Sequence, residues 1–229
     1  LIPGKLRNLL LFLGSLIFYA WGEPVYVILM LFSSVFSYYM GTELERLYYD
    51  DRKQKINLIF SIVVNLFILV FFKYYGFLLN TIGGITGIHI PHPELSLPIG
   101  LSFYTFRNLS YLFDIYLSKI NAQRNFLTFA VYSTMFPYTS AGPIIRYADI
   151  EEQLTHRSLN VSRFGLGAEL FVKGLAKKVL LADNLSALYA GICGHSQMSV
   201  FTAWIGILAY TMQLYFDFWG YSVMARGLG

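Results

Sequence analysis

Four ionisable side chains stand inside stretches that are otherwise apolar: Arg107, Asp114, Arg146 and Asp217. At the centre of a membrane helix each such group costs about 2.5–3.5 kcal/mol, so it turns inward, finds a partner, or faces a wet cavity. Arg107 and Asp114 lie seven residues apart, about two helical turns, which puts them on one face with Tyr104 and Tyr111. That face reads either as the lining of a cavity or as one side of a static ion pair. Asp217 sits in Tyr215-Phe216-Asp217-Phe218, with Arg226 as the near basic residue in sequence, and is expected to serve a site or to pin its helix. Arg146 follows Gly142-Pro143-Ile144-Ile145, and both readings apply to it too.

Other chemistry is thinner. None of the histidines, His89, His92, His156 and His195, lies within an apolar run, and His89 and His92 beside Pro91 and Pro93 read as loop rather than as metal ligands. No metal is expected. A lone Cys193 excludes an intrachain disulfide, a cysteine-based zinc site and a redox pair, and reads as small apolar filler. The glycosylation-type matches at Asn108, Asn160 and Asn184 are short-pattern coincidences, and Gly83-Gly84 lacks the lysine of a phosphate loop.

The elements that must position the charged residues are apolar. Of 229 residues 56% are hydrophobic and only 13% charged, against about 25% charged in an average soluble chain. Lipid is the solvent that fits. Aromatic residues at 18% suit headgroup boundaries and buried cavities. Six stretches approach the roughly 20 residues that cross a hydrocarbon core: Leu9–Trp21, Val25–Gly41, Ile56–Phe72, Leu97–Leu117, Phe126–Ile145 and Val200–Met224. A Gly22-Glu23-Pro24 turn, a charged loop Glu43–Lys55 and a Gly/Pro/His segment Thr81–Pro98 separate them. The expected fold class is all-α, a polytopic membrane bundle with re-entrant and interfacial helices. Residues 1–229 read as a single transmembrane region.

The formal charge of +4 and pI of about 9.0 come from short basic clusters between apolar runs, so nucleic acid is not an expected partner. Arg46, Arg52, Lys53 and Lys55 put Glu43–Lys55 in the cytoplasm. The next basic block, Arg146 to Lys178, reaches the same side if Phe126–Ile145 is a broken, re-entrant hairpin, and Pro137, Gly142 and Pro143 supply the break. Val161–Leu185 carries Phe164, Leu166, Leu170, Phe171, Leu175 and Val179 at helical spacing, as an amphipathic interfacial helix does.

Five ordered motifs resemble the alginate O-acetyltransferase (AlgI-like) branch of the membrane-bound O-acyltransferase (MBOAT) family. They are Leu97-Pro98-Ile99-Gly100-Leu101-Ser102-Phe103-Tyr104-Thr105-Phe106; Ser110-Tyr111 with Asp114-Ile115-Tyr116; Phe136-Pro137 with Ala141-Gly142-Pro143-Ile144-Ile145-Arg146-Tyr147; Gly174-Leu175-Ala176-Lys177-Lys178-Val179 with Ala182-Asp183-Asn184-Leu185; and Tyr215-Phe216-Asp217-Phe218 with Gly220-Tyr221-Ser222. Phe18-Tyr19-Ala20-Trp21-Gly22 and Phe72-Lys73-Tyr74-Tyr75 extend the similarity over essentially the whole chain. The resemblance implies an acyltransferase of the plasma or inner membrane. It would bind no cofactor, take acetyl from a cytoplasmic donor, acetyl-CoA, and O-acetylate an exported polysaccharide with a polysaccharide-modifying partner on the outer side. It also implies that Tyr104, Arg107, Asp114, Arg146, Asp217 and Tyr221 line the substrate cavity. The catalytic histidine is expected beyond Gly229, and the first family helix before Leu1, so residues 1–229 alone are expected to be inactive. Trp219, Val223 and Arg226 depart from the usual Ser, Asp and apolar residue of the family. Two alternatives stay open: a teichoic-acid D-alanyl transfer protein of the same family, and a membrane transporter.

Overall fold

A computed structural model describes residues 4–87, 96–139, 142–155, 160–194 and 199–229. The readings of His89, His92, His156 and His195, and of Pro91, Pro93, Ala141 and Arg157, lie outside the described residues. Every regular element among the described residues is helical, as the sequence predicts: α1 (Gly4–Gly22), α2 (Val27–Arg46), α3 (Asp51–Thr86), α4 (Leu101–Tyr116), α5 (Phe126–Thr134), α6 (Tyr147–Thr155), α7 (Val161–Lys177), α8 (Asp183–Cys193) and α9 (Val200–Leu228). The chain forms two compact units, Leu1–Ser140 with Ile144–Arg157, and Ala141–Pro143 with Ser158–Gly229.

In the first unit α2 packs on α1, α3, α4 and α5, while α4 is gripped from α2, α3 and α5. The two longest helices here are polar within and greasy without. α3 buries Gln54, Leu58, Ser61, Asn65 and Leu69 along one stripe, while Val63 is 57% and Phe67 67% exposed. α2 likewise buries Ser33, Ser34, Ser37 and Gly41, small residues that let helix backbones approach closely where the hydrophobic effect does not drive packing. Both are long and apolar enough to cross a membrane.

Several expected boundaries move. The charged loop shrinks to a turn of four residues, 47–50, because α2 runs on to Arg46 and α3 starts at Asp51, capped by the Asp50 carboxylate on the Lys53 amide. The Gly/Pro segment placed from Thr81 is helical as far as Thr86, since Gly83-Gly84 lowers helix propensity without forbidding a helix; the left-handed Gly87 ends it. The Leu97–Leu117 run yields a helix of 16 residues that begins only at Leu101. Gly100 there has φ +74°, and a Cβ on it would strike the Thr139 carbonyl, so glycine is needed twice over.

The Phe126–Ile145 run is broken, as its prolines and glycine require. α5 ends after nine residues, a single tight turn Phe136–Tyr138 follows, and residues 142–146 just before α6 are irregular. The Ser15 hydroxyl of α1 takes the Phe136 amide at 3.2 Å, satisfying one donor that the break exposes.

In the second unit α7, α8 and the segment between them pack on α9. The amphipathic helix does not stop at Leu185. It passes through one wide π-helical turn, Lys178–Ala182, and runs on to Cys193. Cys193 is exposed rather than a filler, because α8 ends there. α7 and α9 meet at glycines: a Cβ on Gly174 would lie 2.6 Å from the Gly220 carbonyl, and one on Gly167 2.6 Å from that of Gly227. The expected apolar stripe of α7 is largely outward, with Phe164 79% and Leu166 59% exposed.

Candidate functional site

The interior of the first unit is built around Arg107. On α4 the residues Tyr104, Arg107, Tyr111 and Asp114 do share one face, and all four are buried. They do not pair as opposite charges. Arg107 Nη1 donates to the carbonyls of Tyr132 at 2.9 Å and Ser133 at 3.2 Å, and Nη2 donates to the carbonyl of Tyr138. These carbonyls belong to the last turn of α5 and to the turn that follows, where no further helical amides arrive to satisfy them. A cation at a helix C-terminus also meets the negative end of its dipole. Arg107 is thus the clamp of the broken run after α5, and its guanidinium lies 5.9 Å from the Tyr132 ring.

Asp114 ends the same face. One carboxylate oxygen lies 4.0 Å from Lys119 Nζ. The other is buried and has no hydrogen-bond partner among the described residues, and neither does Arg107 Nε. Buried polar atoms are nearly always satisfied, so these two mark unspent donor and acceptor capacity in an apolar interior.

An aromatic box closes around this face. The Tyr111 ring lies 4.6 Å from Phe129 and 5.3 Å from Tyr147, and Tyr132 lies 5.2 Å from Tyr147. Gln123 fixes two of the phenols by donating its backbone amide to the Tyr111 hydroxyl and its side-chain amide to that of Tyr147. Beside Arg107, Asn108 donates to Ser33 Oγ at 3.1 Å and accepts from Ser133 Oγ at 2.9 Å, and Ser133 Oγ lies 2.8 Å from Ser34 Oγ. This network sews α2, α4 and α5 together. Arg146 stands apart from it with an exposed side chain, although the Ile145 carbonyl before it accepts from the Tyr132 hydroxyl. A groove of about 660 Å³ at the α2–α3 turn, lined by Tyr48, Tyr49, Asp51, Gln54, Lys55 and Tyr116, contains none of the candidate residues.

The second unit holds Asp217 and Tyr221, both on α9. The partner of Asp217 is Lys178, whose ammonium lies 2.9 Å from Asp217 Oδ1 and 3.6 Å from Asp183 Oδ1. The neighbouring Lys177 sits over the ring of Trp219, 3.2 Å from its centroid.

Sequence reasoning gives no site role to Tyr132, Ser133, Asn108 or Lys178. The carbonyls that hold Arg107 leave no mark in residue types. Lys178 is visible as part of a motif, but its partner lies 39 residues away.

No family model matches the sequence. Curated relatives do. The chain is 39% identical to the Pseudomonas aeruginosa protein named "Probable alginate O-acetylase AlgI", over 98% of this chain and 44% of that one. The protein of the same name from Azotobacter vinelandii is 37% identical over 100% of this chain and 47% of its own length. A Helicobacter pylori protein named peptidoglycan O-acetyltransferase is 32% identical over 97% of the chain and 47% of its own. The chain spans about half the length of the curated relatives it matches.

Proposed function

Because this chain belongs with the AlgI-type O-acetylases across the region it shares with them, we propose that it forms the membrane-embedded donor side of a polysaccharide O-acetyltransferase. It sits as a multi-pass bundle in the plasma or inner membrane, with the α2–α3 turn in the cytoplasm. Acetyl is drawn from acetyl-CoA on that side and delivered to a hydroxyl of an exported polysaccharide, with a partner protein on the outer side. The observation that carries the reading is 39% identity sustained over 98% of the chain. The stripe of buried Ser61 and Asn65 beneath exposed Val63 and Phe67 supports it, since such a surface suits acyl chains and not water.

Acyl transfer from a thioester to a hydroxyl breaks the C–S bond as the C–O bond forms, and the attacking oxygen gives up its proton to a base. The resemblance assigns that base to a histidine beyond Gly229. The contribution of this chain is a prearranged interior. Arg107 Nε and Asp114 Oδ2 offer a donor and an acceptor without partners among the described residues, and Tyr104 and Tyr111 wall the same face. Tyr221 and Asp217 add polar groups to α9.

The test is genetic and chemical. Deleting the gene should remove acetyl esters from the exported polysaccharide, and Asp114→Asn or Asp217→Asn should lower ester content more than membrane-inserted yield. Full acetylation in the deletion strain would end the reading. The Helicobacter pylori relative favours peptidoglycan as a second acceptor. Acetyl esters found on muropeptides and not on secreted polysaccharide would select it.

A further inference from the structure

We infer that Lys178 is a positioning residue for Asp217, and that the wide turn Lys178–Ala182 exists to bring Asp183 against it as a second anchor. This rests on the proposed reading of Asp217 as a functional group. The α7–α9 crossing at Gly174 and Gly220 brings the backbones close, and a Cβ on Gly220 would lie 3.2 Å from the Lys178 amide. At that point the helix widens. A π turn rotates the residues after it relative to a regular helix, and such turns recur at functional sites. Here the turn leaves Lys178 bridging Asp217 at 2.9 Å on α9 and Asp183 at 3.6 Å on α8. The wide turn also disturbs the carbonyls within it, and the Asn184 amide donates to two of them, Val179 at 3.3 Å and Leu180 at 3.0 Å. Asn184, a chance pattern match in sequence, is therefore the brace of the bulge. The residues of Gly174–Val179 and Ala182–Leu185 thereby gain linked tasks: close approach, counter-ion, second acid, brace.

The surrounding charges are accounted for. On α7, Lys177 is drawn onto the Trp219 ring and Lys173 is paired with Glu169. On α8, Asp183 shares Lys178, and Tyr189 lies against Tyr210 of α9. On α9 itself the neighbours are Tyr215, Tyr221 and Arg226, and the Tyr215 ring packs on Trp219. Among the described residues Lys178 is the ammonium at ion-pair distance from the Asp217 carboxylate, and it fixes where that carboxylate points.

The experiment uses the natural full-length protein in native membranes and has two arms. Infrared difference spectroscopy, with Asp217→Asn to identify the band, reads the carboxylate stretch of Asp217 and needs no turnover. In Lys178→Met that stretch should change in frequency and broaden as the carboxylate loses its fixed donor, and Lys178→Arg should restore most of it. An unchanged band in Lys178→Met overturns the inference. The second arm is acetyl transfer, whose rate should fall in Lys178→Met and recover in Lys178→Arg while membrane-inserted yield stays level. A changed band with an unchanged rate reduces Lys178 to a latch between helices and likewise overturns it. If the band changes but the unmodified protein transfers no acetyl group, the functional reading fails and the assignment of Lys178 stands. Asn184→Ala keeps every charge while removing the brace. Should Lys178→Met fail to insert, this variant should give a smaller change in the same band, and no change would refute the idea.

Discussion

Arg107 and Lys178 are both cations lodged among apolar helices, but they are held by different chemistry. Arg107 is 2% exposed, and among the described residues its Nη atoms meet only neutral carbonyls. Lys178 has a side chain 41% exposed and meets two carboxylates. A buried guanidinium on carbonyls cannot give up its proton, so it acts as a fixed fork that sets backbone geometry. A half-exposed ammonium between two carboxylates fixes where they point, while contributing little to stability. The first unit therefore uses its buried cation to set backbone shape, and the second uses its half-exposed one to place a carboxylate.

The sharpest way to break that contrast is to replace each cation by an apolar side chain of similar length. Arg107→Met leaves the Tyr132, Ser133 and Tyr138 carbonyls without their donor and should cost about 3–5 kcal/mol. Lys178→Met should cost only about 0–1 kcal/mol. Unfolding by SDS titration in mixed micelles measures both. Similar losses at the two positions would erase the distinction. Arg107→Lys should recover little, since a single ammonium cannot reproduce the fork.

Next in size is the helix crossing that sets up the second unit. Gly174→Leu must displace the Gly220 carbonyl, which a Cβ would approach to 2.6 Å, and should cost about 2–3 kcal/mol as overpacking. A cysteine pair placed across α7 and α9 should also lose its cross-linking yield. If the yield persists, the crossing is not what brings Lys178 to Asp217.

The smallest effect sharpens the comparison from a third charge, outside the apolar stretches. The hydrogen bond from Lys53, its charge and its backbone amide hold the Asp50 carboxyl below its ordinary value. A depressed folded value means that the stabilisation is present above the unfolded pKa and is lost as pH falls through the lower folded one. Asp50→Ala should flatten this slight acid dependence below about pH 4, readable as the difference in melting temperature between neutral and acid buffer. An unchanged difference would show that the cap contributes nothing at this exposed turn.

How far the sequence speaks depends on whether an interaction is local. The face of Tyr104, Arg107, Tyr111 and Asp114 is legible because helical periodicity alone defines it. The break after α5 is legible because Pro137 and Gly142-Pro143 stand in it. The carbonyl clamp is not, since carbonyls carry no residue code and two of the three come from residues, Tyr132 and Ser133, with nothing to single them out. Nor is the Lys178–Asp217 pair, because helix packing decides which distant residues meet. Helix ends fail for a third reason. Charged residues at Glu43–Arg46 and Asp51–Lys55 read as loop, yet they are good helix formers with a cap between them.

One element has a dimension that outruns its solvent. At 1.5 Å per residue the 36 residues of α3 make a rod about 54 Å long, whereas the hydrocarbon layer is about 30 Å deep. Its apolar face does not end with the run Ile56–Phe72: beyond Lys73, Phe77 is 67% and Ile85 81% exposed. Tilting could swallow some of this excess, but an ammonium at Lys73 beside Tyr74 resists being drawn inward. On the proposed membrane placement, with Lys73 at the boundary, the 13 residues after it, 74–86, stand as a greasy mast about 20 Å tall on the far side from Asp50. On that placement bilayer thickness becomes a variable of this protein, for a thicker membrane shelters that mast and a thinner one strands it in water.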